Sequence, residues 1–237
     1  MLIQAKAKRM QQQTSKAIDY LAPDVPSELP WFETPLVRAT PETLAGYGEL
    51  VDDVESAHVE IVTWPAPDWR SVDEGTGNQA GTVPGTFEVW WTGDTLWGHN
   101  GAVDDRYLFG WSKNPGEARR EGALAESPER LLLWHANYHP DGGQLFFPLD
   151  GVPFVTALAL PGDDVTPESF TTFYFDGSQG LCIKPGVWHE GVFALAPRAR
   201  FYDEQGRVHA RVSCHFPHEF GVFLSLPLPR HDDCVPR

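Results

Sequence analysis

From Val59 onward, short runs of Val, Ile, Thr, Trp and Phe alternate with clusters of Gly, Pro and Asp. β-Branched and aromatic residues fit the pleated, half-buried surface of a strand, and the punctuating residues supply the backbone angles of turns. The runs fall at 59–64, 86–91, 94–99, 106–111, 131–138, 143–147, 153–160, 170–175, 180–184, 192–196, 207–215 and 221–226. A spacing of about ten residues between strand signals predicts an all-β sandwich or barrel. With 22 Gly and 21 Pro in 237 residues, little room remains for long helices, and nine Trp and fourteen Phe supply a real core.

Residues 2–21 are richer in Ala, Lys, Gln and Met and stop before Pro23, Pro26 and Pro30, which predicts one helix followed by a Pro-rich arm. The expected division is therefore an appendage over 1–34, assigned to contact with another subunit, and one β-barrel domain over 35–237. Thr40 can cap a short helix with Pro41 at its first position. Segments 65–85 and 112–128 are expected to be loops.

Lys and Arg number 18 against 33 Asp and Glu, a formal charge of −15. Such a surface opposes nucleic acid and anionic bilayers, where binding depends on neutralising phosphates, but not a small anion held by one buried cation. No stretch of apolar residues is long enough to span a bilayer, and the first 21 residues have no apolar leader core, so a cytoplasmic location is expected. Cys182, Cys214 and Cys234 are too scattered for a disulfide framework or a CxxC zinc site and are expected to be free thiols.

Two segments concentrate chemistry. In Trp134-His135-Ala136-Asn137-Tyr138-His139, strand alternation puts His135, Asn137 and His139 on one face, where imidazoles can begin a metal site. Pro185-Gly186 turns the chain before Trp188-His189-Glu190, some 50 residues later. Facing strands of a double-stranded β-helix, the cupin arrangement, bring such segments together. The expected metal set is His135, His139 and His189, with one divalent ion as cofactor. Trp134 and Trp188 are expected in the core, Cys182 as a small core residue, and His215, His218 and Glu219 at a strand end and bend, because Pro217 interrupts the run.

The stretch Gly143 to Phe154, the run Val155 to Leu160, the segment Phe173 to Gly180 and Gly186-Val187-Trp188-His189 resemble the ureidoglycolate lyase family. So do Thr40 to Leu50 and Asn100-Gly101 with Arg106-Tyr107, so that the likeness runs from about residue 35 to 227. The resemblance implies a cupin β-barrel, usually a homodimer, that cleaves ureidoglycolate to glyoxylate and urea in the allantoin branch of purine breakdown. The chain departs from the family pattern at Leu108, Lys184 and Glu190, positions where His is expected.

A carbon–nitrogen lyase acting on a 2-hydroxy acid needs a base for the hydroxyl, an acid for the leaving nitrogen and a cation for the carboxylate. Arg106 is expected to hold the carboxylate, His189 or Glu190 to be the base, and Lys184 the acid or a further clamp on the carboxylate. Asn100, Tyr107 and Gln144 complete the expected substrate contacts. The other readings are a metal-dependent cupin acting on another hydroxy or oxo acid, and a non-catalytic ligand-binding barrel.

Overall fold

A computed structural model describes residues 18–62, 69–76, 81–124, 127–207 and 210–230. Its strands are β1 (Trp31–Glu33), β2 (Leu36–Arg38), β3 (Gly48–Val51), β4 (Thr82–Thr92), β5 (Thr95–Asn100), β6 (Asp105–Trp111), β7 (Arg130–Leu133) and β8 (His135–Tyr138). There follow β9 (Gln144–Pro148), β10 (Phe154–Leu158), β11 (Thr171–Phe175), β12 (Gly180–Ile183), β13 (Phe193–Ala194), β14 (Arg198–Gly206), β15 (Val212–His215), the short helix α1 (Phe216–Phe220) and β16 (Phe223–Pro227). The fold is all-β, as the strand spacing predicts. Ten strands form one sheet in the order β1-β16-β7-β6-β5-β4-β14-β9-β12-β3, four form β13-β10-β11-β2, and β15 pairs with β8. Among the described residues the large sheet ends at β1 and β3, and its ladder does not close on itself.

Both faces of several strands are covered. Every residue of β8 and β10 is buried; in β10 this gives a nearly continuous apolar run instead of an alternating one, while β8 carries His135 and Asn137 into the interior. The core is aromatic: Phe154 stacks on Phe175 at 4.5 Å and meets Phe201 edge-on at 5.2 Å, contacts worth about 0.5–1.5 kcal/mol each beyond the area they bury. Trp134 and Trp188 are fully buried and donate their indole N–H to Leu108 O and Gly162 O, as their expected place in the packing requires. Gly98 has a packing reason, since a Cβ there would lie 2.1 Å from the Phe109 ring.

Several local expectations change. The run 131–138 is two strands: at Trp134 the chain leaves the large sheet, where β7 pairs with β6 and β16, and enters the pair with β15. That bend directs His135 and Asn137 inward. The longest unanticipated strand is β14, paired with β4 over nine positions. Its buried face carries Asp203 and Gln205 as well as Ala199 and Phe201, so the polar residues masked the alternation. Of 59–64, Ile61 makes a single bridge to Gly142, and residues 63–64 lie outside the described part. Of the run 207–215, Val212–His215 forms β15, and residues 208–209 lie outside the described part. Thr40–Gly46 forms hydrogen-bonded turns instead of a helix, with Thr40 and Thr43 bonding each other's backbone N–H reciprocally.

The expected N-terminal helix falls mostly on residues 1–17, outside the described part, and Ile18–Leu21 are not helical. From there the arm lies against the body. Ile18, Tyr20, Val25 and Leu29 pack on Leu108, Trp111, Trp134 and Phe223, and β1 pairs in parallel with β16. Cys182 and Cys214 are free thiols, and Cys234 lies outside the described residues. Cys214 is buried; Cys182 is half-buried, its pKa pushed up to about 11 by burial and then by Glu49, Glu204 and Glu60. Among the described residues no helix is long and apolar enough to cross a membrane.

Candidate active site

The elements converge on a cavity lined by Asn100 at the end of β5, Tyr107 and Phe109 on β6, Asn137 and His139 at β8, Gln144 opening β9, and Glu190, Gln205 and Arg211. Phe87 of β4 and Tyr20 of the arm complete the wall. Its volume is small, about 30 Å³, near that of one water site. A ligand of several heavy atoms therefore enters only with a side-chain shift; Tyr20, carried by the arm, is held to β6 by its carbonyl, which accepts from Leu108 N–H.

The acid–base side is built on Glu190. Its side chain is 4% exposed, and Oε2 lies 2.6 Å from His135 Nδ1 and accepts a longer bond, 3.3 Å, from Asn137 Nδ2. His135 Nε2 lies 2.9 Å from Ser213 Oγ, whose proton goes to Asp73 Oδ2 at 2.5 Å. Asp73 in turn accepts from Arg211 Nε at 3.1 Å. A carboxylate backed by a buried imidazole is thus linked through a hydroxyl and a second carboxylate to the guanidinium of the same cavity.

Arg211 is the cation of the site. Burial works against its charge, but Tyr20, Asp73 and Tyr107 around it hold its pKa above the ordinary arginine value. Its guanidinium carbon lies 4.5 Å from the centre of the Tyr20 ring, a cation–π distance. Burial also raises Tyr20 and Tyr107, which stay protonated and can donate to an anion. Loop 69–76 delivers Asp73 and is itself anchored by Arg70, which is buried and forks onto both oxygens of Glu219 at 3.1 and 2.7 Å.

The opposite wall holds a second polar unit. Gln144 donates from Nε2 to Asp203 Oδ1 at 2.7 Å, and its Oε1 faces His189 Nε2 at 3.2 Å. His189 is buried, and burial lowers its pKa, while the Val187 carbonyl bond and Glu190 oppose that shift. Burial likewise pushes Asp203 up to about 7, against the stabilising side chains of Gln144 and Asn100. The sign of the linked stability follows. An unfolded Asp sheds its proton near 3.8, and the folded one keeps it to about 7, so the native state loses stability as pH rises through that interval. Asp203→Asn is expected to remove this slope, so that its stability relative to wild type climbs between those two pH values. Denaturant titrations across pH 4 to 8 check it, and a difference curve flat in pH would show that Asp203 ionises normally.

The expected site residues divide clearly. Asn100, Tyr107, His139, Gln144 and Glu190 line one cavity, with His135 behind Glu190 and His189 behind Gln144. Arg106 does not reach it: alternation along β6 puts Arg106 on the face opposite Tyr107, exposed in an open groove with Asp104 and Asp105. Lys184 is exposed at the Pro185-Gly186 turn, away from the cavity. His135, His139 and His189 are committed separately, to Glu190 and Ser213, to the Ala210 carbonyl, and to Val187 and Gln144. His139 and His189 meet edge to face at 5.1 Å, but among the described residues no group of three His, Cys, Asp or Glu is placed to hold a metal ion. His215 and His218 stack on each other at 3.7 Å beside Trp134, and Glu219 serves Arg70.

Arg211, Asp203, Gln205 and Tyr20 were not anticipated. Asp203 and Gln205 fall on the buried face of β14, where polar residues hide the period-two alternation, and no local signal marks Arg211.

Comparison with known proteins matches residues 131–215 to the family described as ureidoglycolate lyase. The ureidoglycolate lyase of Azotobacter vinelandii is 37% identical over 101 residues, 35% of this chain and 61% of that protein. Those of Pseudomonas savastanoi pv. phaseolicola and Stutzerimonas stutzeri are 36% and 40% identical over 74 and 71 residues, covering 44% and 42% of their lengths. The chain thus spans about three fifths or less of these relatives. The matched segment carries Asn137, His139, Gln144 and Glu190 of the cavity wall.

Proposed function

We propose, from the premise that residues 131–215 belong to the ureidoglycolate lyase family, that this protein cleaves the carbon–nitrogen bond of ureidoglycolate to give glyoxylate and urea. The observation that carries the reading is the placing of one carboxylate, Glu190, and one guanidinium, Arg211, on the same small cavity. The substrate is a 2-hydroxy acid, so Arg211, helped by the Tyr20 and Tyr107 hydroxyls, holds its carboxylate. Glu190 takes the hydroxyl proton as the carbonyl forms, the carbon–nitrogen electrons pass to nitrogen, and the proton then returns from Glu190 to that nitrogen. One group serves as base and then acid, so no second acid is required where Lys184 was expected. His135, bonded to Glu190 through Nδ1, fixes the carboxylate and answers its changing charge.

Incubating the folded protein with ureidoglycolate and following glyoxylate and urea together is the direct test. Equimolar release above the spontaneous rate is expected. Absence of both products, with circular dichroism showing folded protein, removes this reaction.

A further inference from the structure

Among the described residues, two buried amide atoms in the cavity wall have no hydrogen-bond partner: Asn137 Oδ1 and Gln205 Nε2, whose residues are only 7% and 2% exposed and both line the cavity. Leaving such atoms unpaired is costly, and a ligand that pairs them recovers the loss. The orientation of Asn137 is set by its neighbour: Nδ2 donates to Glu190 Oε2, and turning the amide over would oppose two oxygens there. Asn137 therefore offers an acceptor and Gln205 a donor. Gln144, which faces Gln205 across the β9–β14 ladder, is already engaged with Asp203 and His189.

We propose that Asn137 and Gln205 form a subsite for the primary-amide edge of a ureido group, Asn137 Oδ1 accepting from its N–H and Gln205 Nε2 donating to its C=O. The proposal rests on the reading of the site as one for a ureido acid, and adds which residues recognise the nitrogen end. A primary amide presents N–H and C=O side by side on one edge, whereas a secondary amide in its trans form directs them oppositely, and a simple hydroxy acid has neither. Arg211 takes the carboxylate, so the two ends of the substrate are read by different chemistry.

The test is calorimetric binding of N-carbamoylglycine, which has the carboxylate and the ureido group but no hydroxyl and so cannot be cleaved, against N-acetylglycine, in which a methyl replaces the terminal NH₂. Wild type is expected to prefer N-carbamoylglycine by about 10–100-fold, as for sites whose buried polar groups go unpaired with the wrong ligand. The preference is expected to vanish in Gln205→Leu and in Asn137→Ala, while glyoxylate binds Gln205→Leu as it binds wild type. Equal affinity for the two compounds in wild type, a preference that survives Gln205→Leu, or no binding of N-carbamoylglycine at all overturns the subsite. Preference for N-carbamoylglycine without ureidoglycolate turnover supports the subsite and removes the reaction; turnover without the preference does the reverse.

Discussion

Arg211→Ala is expected to lower kcat/KM for ureidoglycolate by about 10²–10³-fold, roughly 3–4 kcal/mol, mostly through KM. A guanidinium gripping a carboxylate through two charge-assisted bonds accounts for a loss of that size, and the site holds no second cation among its described lining residues. Removing Arg211 also leaves Asp73 without its guanidinium partner, so some loss of stability accompanies the variant. Arg211→Lys separates the effects: it keeps a positive charge near Asp73 but loses the planar fork, and about a tenfold loss is expected. Arg106→Ala is the matched control, exposed on the far face of β6, with kinetics expected within about twofold of wild type. Steady-state kinetics on the three variants decide the assignment. Full activity in Arg211→Ala, or a collapse in Arg106→Ala, returns the carboxylate to the residue first expected from sequence.

Glu190→Gln is the second large effect. If one carboxyl group takes the hydroxyl proton and returns it to nitrogen, an amide of the same shape can do neither, and kcat is expected to fall about 10²–10⁴-fold with KM little changed. The amide keeps an oxygen acceptor for His135 Nδ1, so folding should be retained. His135→Gln leaves the carboxylate in place but removes its support, and a smaller loss is expected together with a displaced pH profile, because His135 acts through Glu190 and lies behind it. Comparing pH–rate profiles of the two variants checks the roles. A Glu190→Gln enzyme within threefold of wild type would take Glu190 out of the chemistry.

The sequence carried much of this site, though unevenly. His139, Gln144 and Glu190 were legible because polar residues in strand-like runs, next to turns, stand out from an apolar core; Asn100 and Tyr107 came from the resemblance to the family. Asp203 and Gln205 were hidden because their strand, β14, has polar residues on its buried face as well as charged ones outside, so it does not read as a strand. Arg106 and Arg211 show the limit of parity. Both are arginines in β-rich segments, and nothing local says which face of a strand meets a cavity. Register against β5 turns Arg106 outward, and the approach of Asp73 holds Arg211 beside Tyr20. The histidines illustrate the same point: His135 and His139 lie four residues apart at strand spacing, yet His135 bonds Glu190 and Ser213 while His139 bonds the Ala210 carbonyl.

What the sequence determined by itself is the all-β class, the large aromatic core, the acidic net charge and the segments from which the cavity is built, because periodicity, turn residues and charge are local or additive properties. Which cation meets the carboxylate, which histidine supports Glu190 and which amides stay unpaired depended on strands far apart in the chain, Tyr20 against Arg211 and His135 against Glu190 and Ser213. Pairings of that kind arise from register and packing across sheets, so only the tertiary structure decided them.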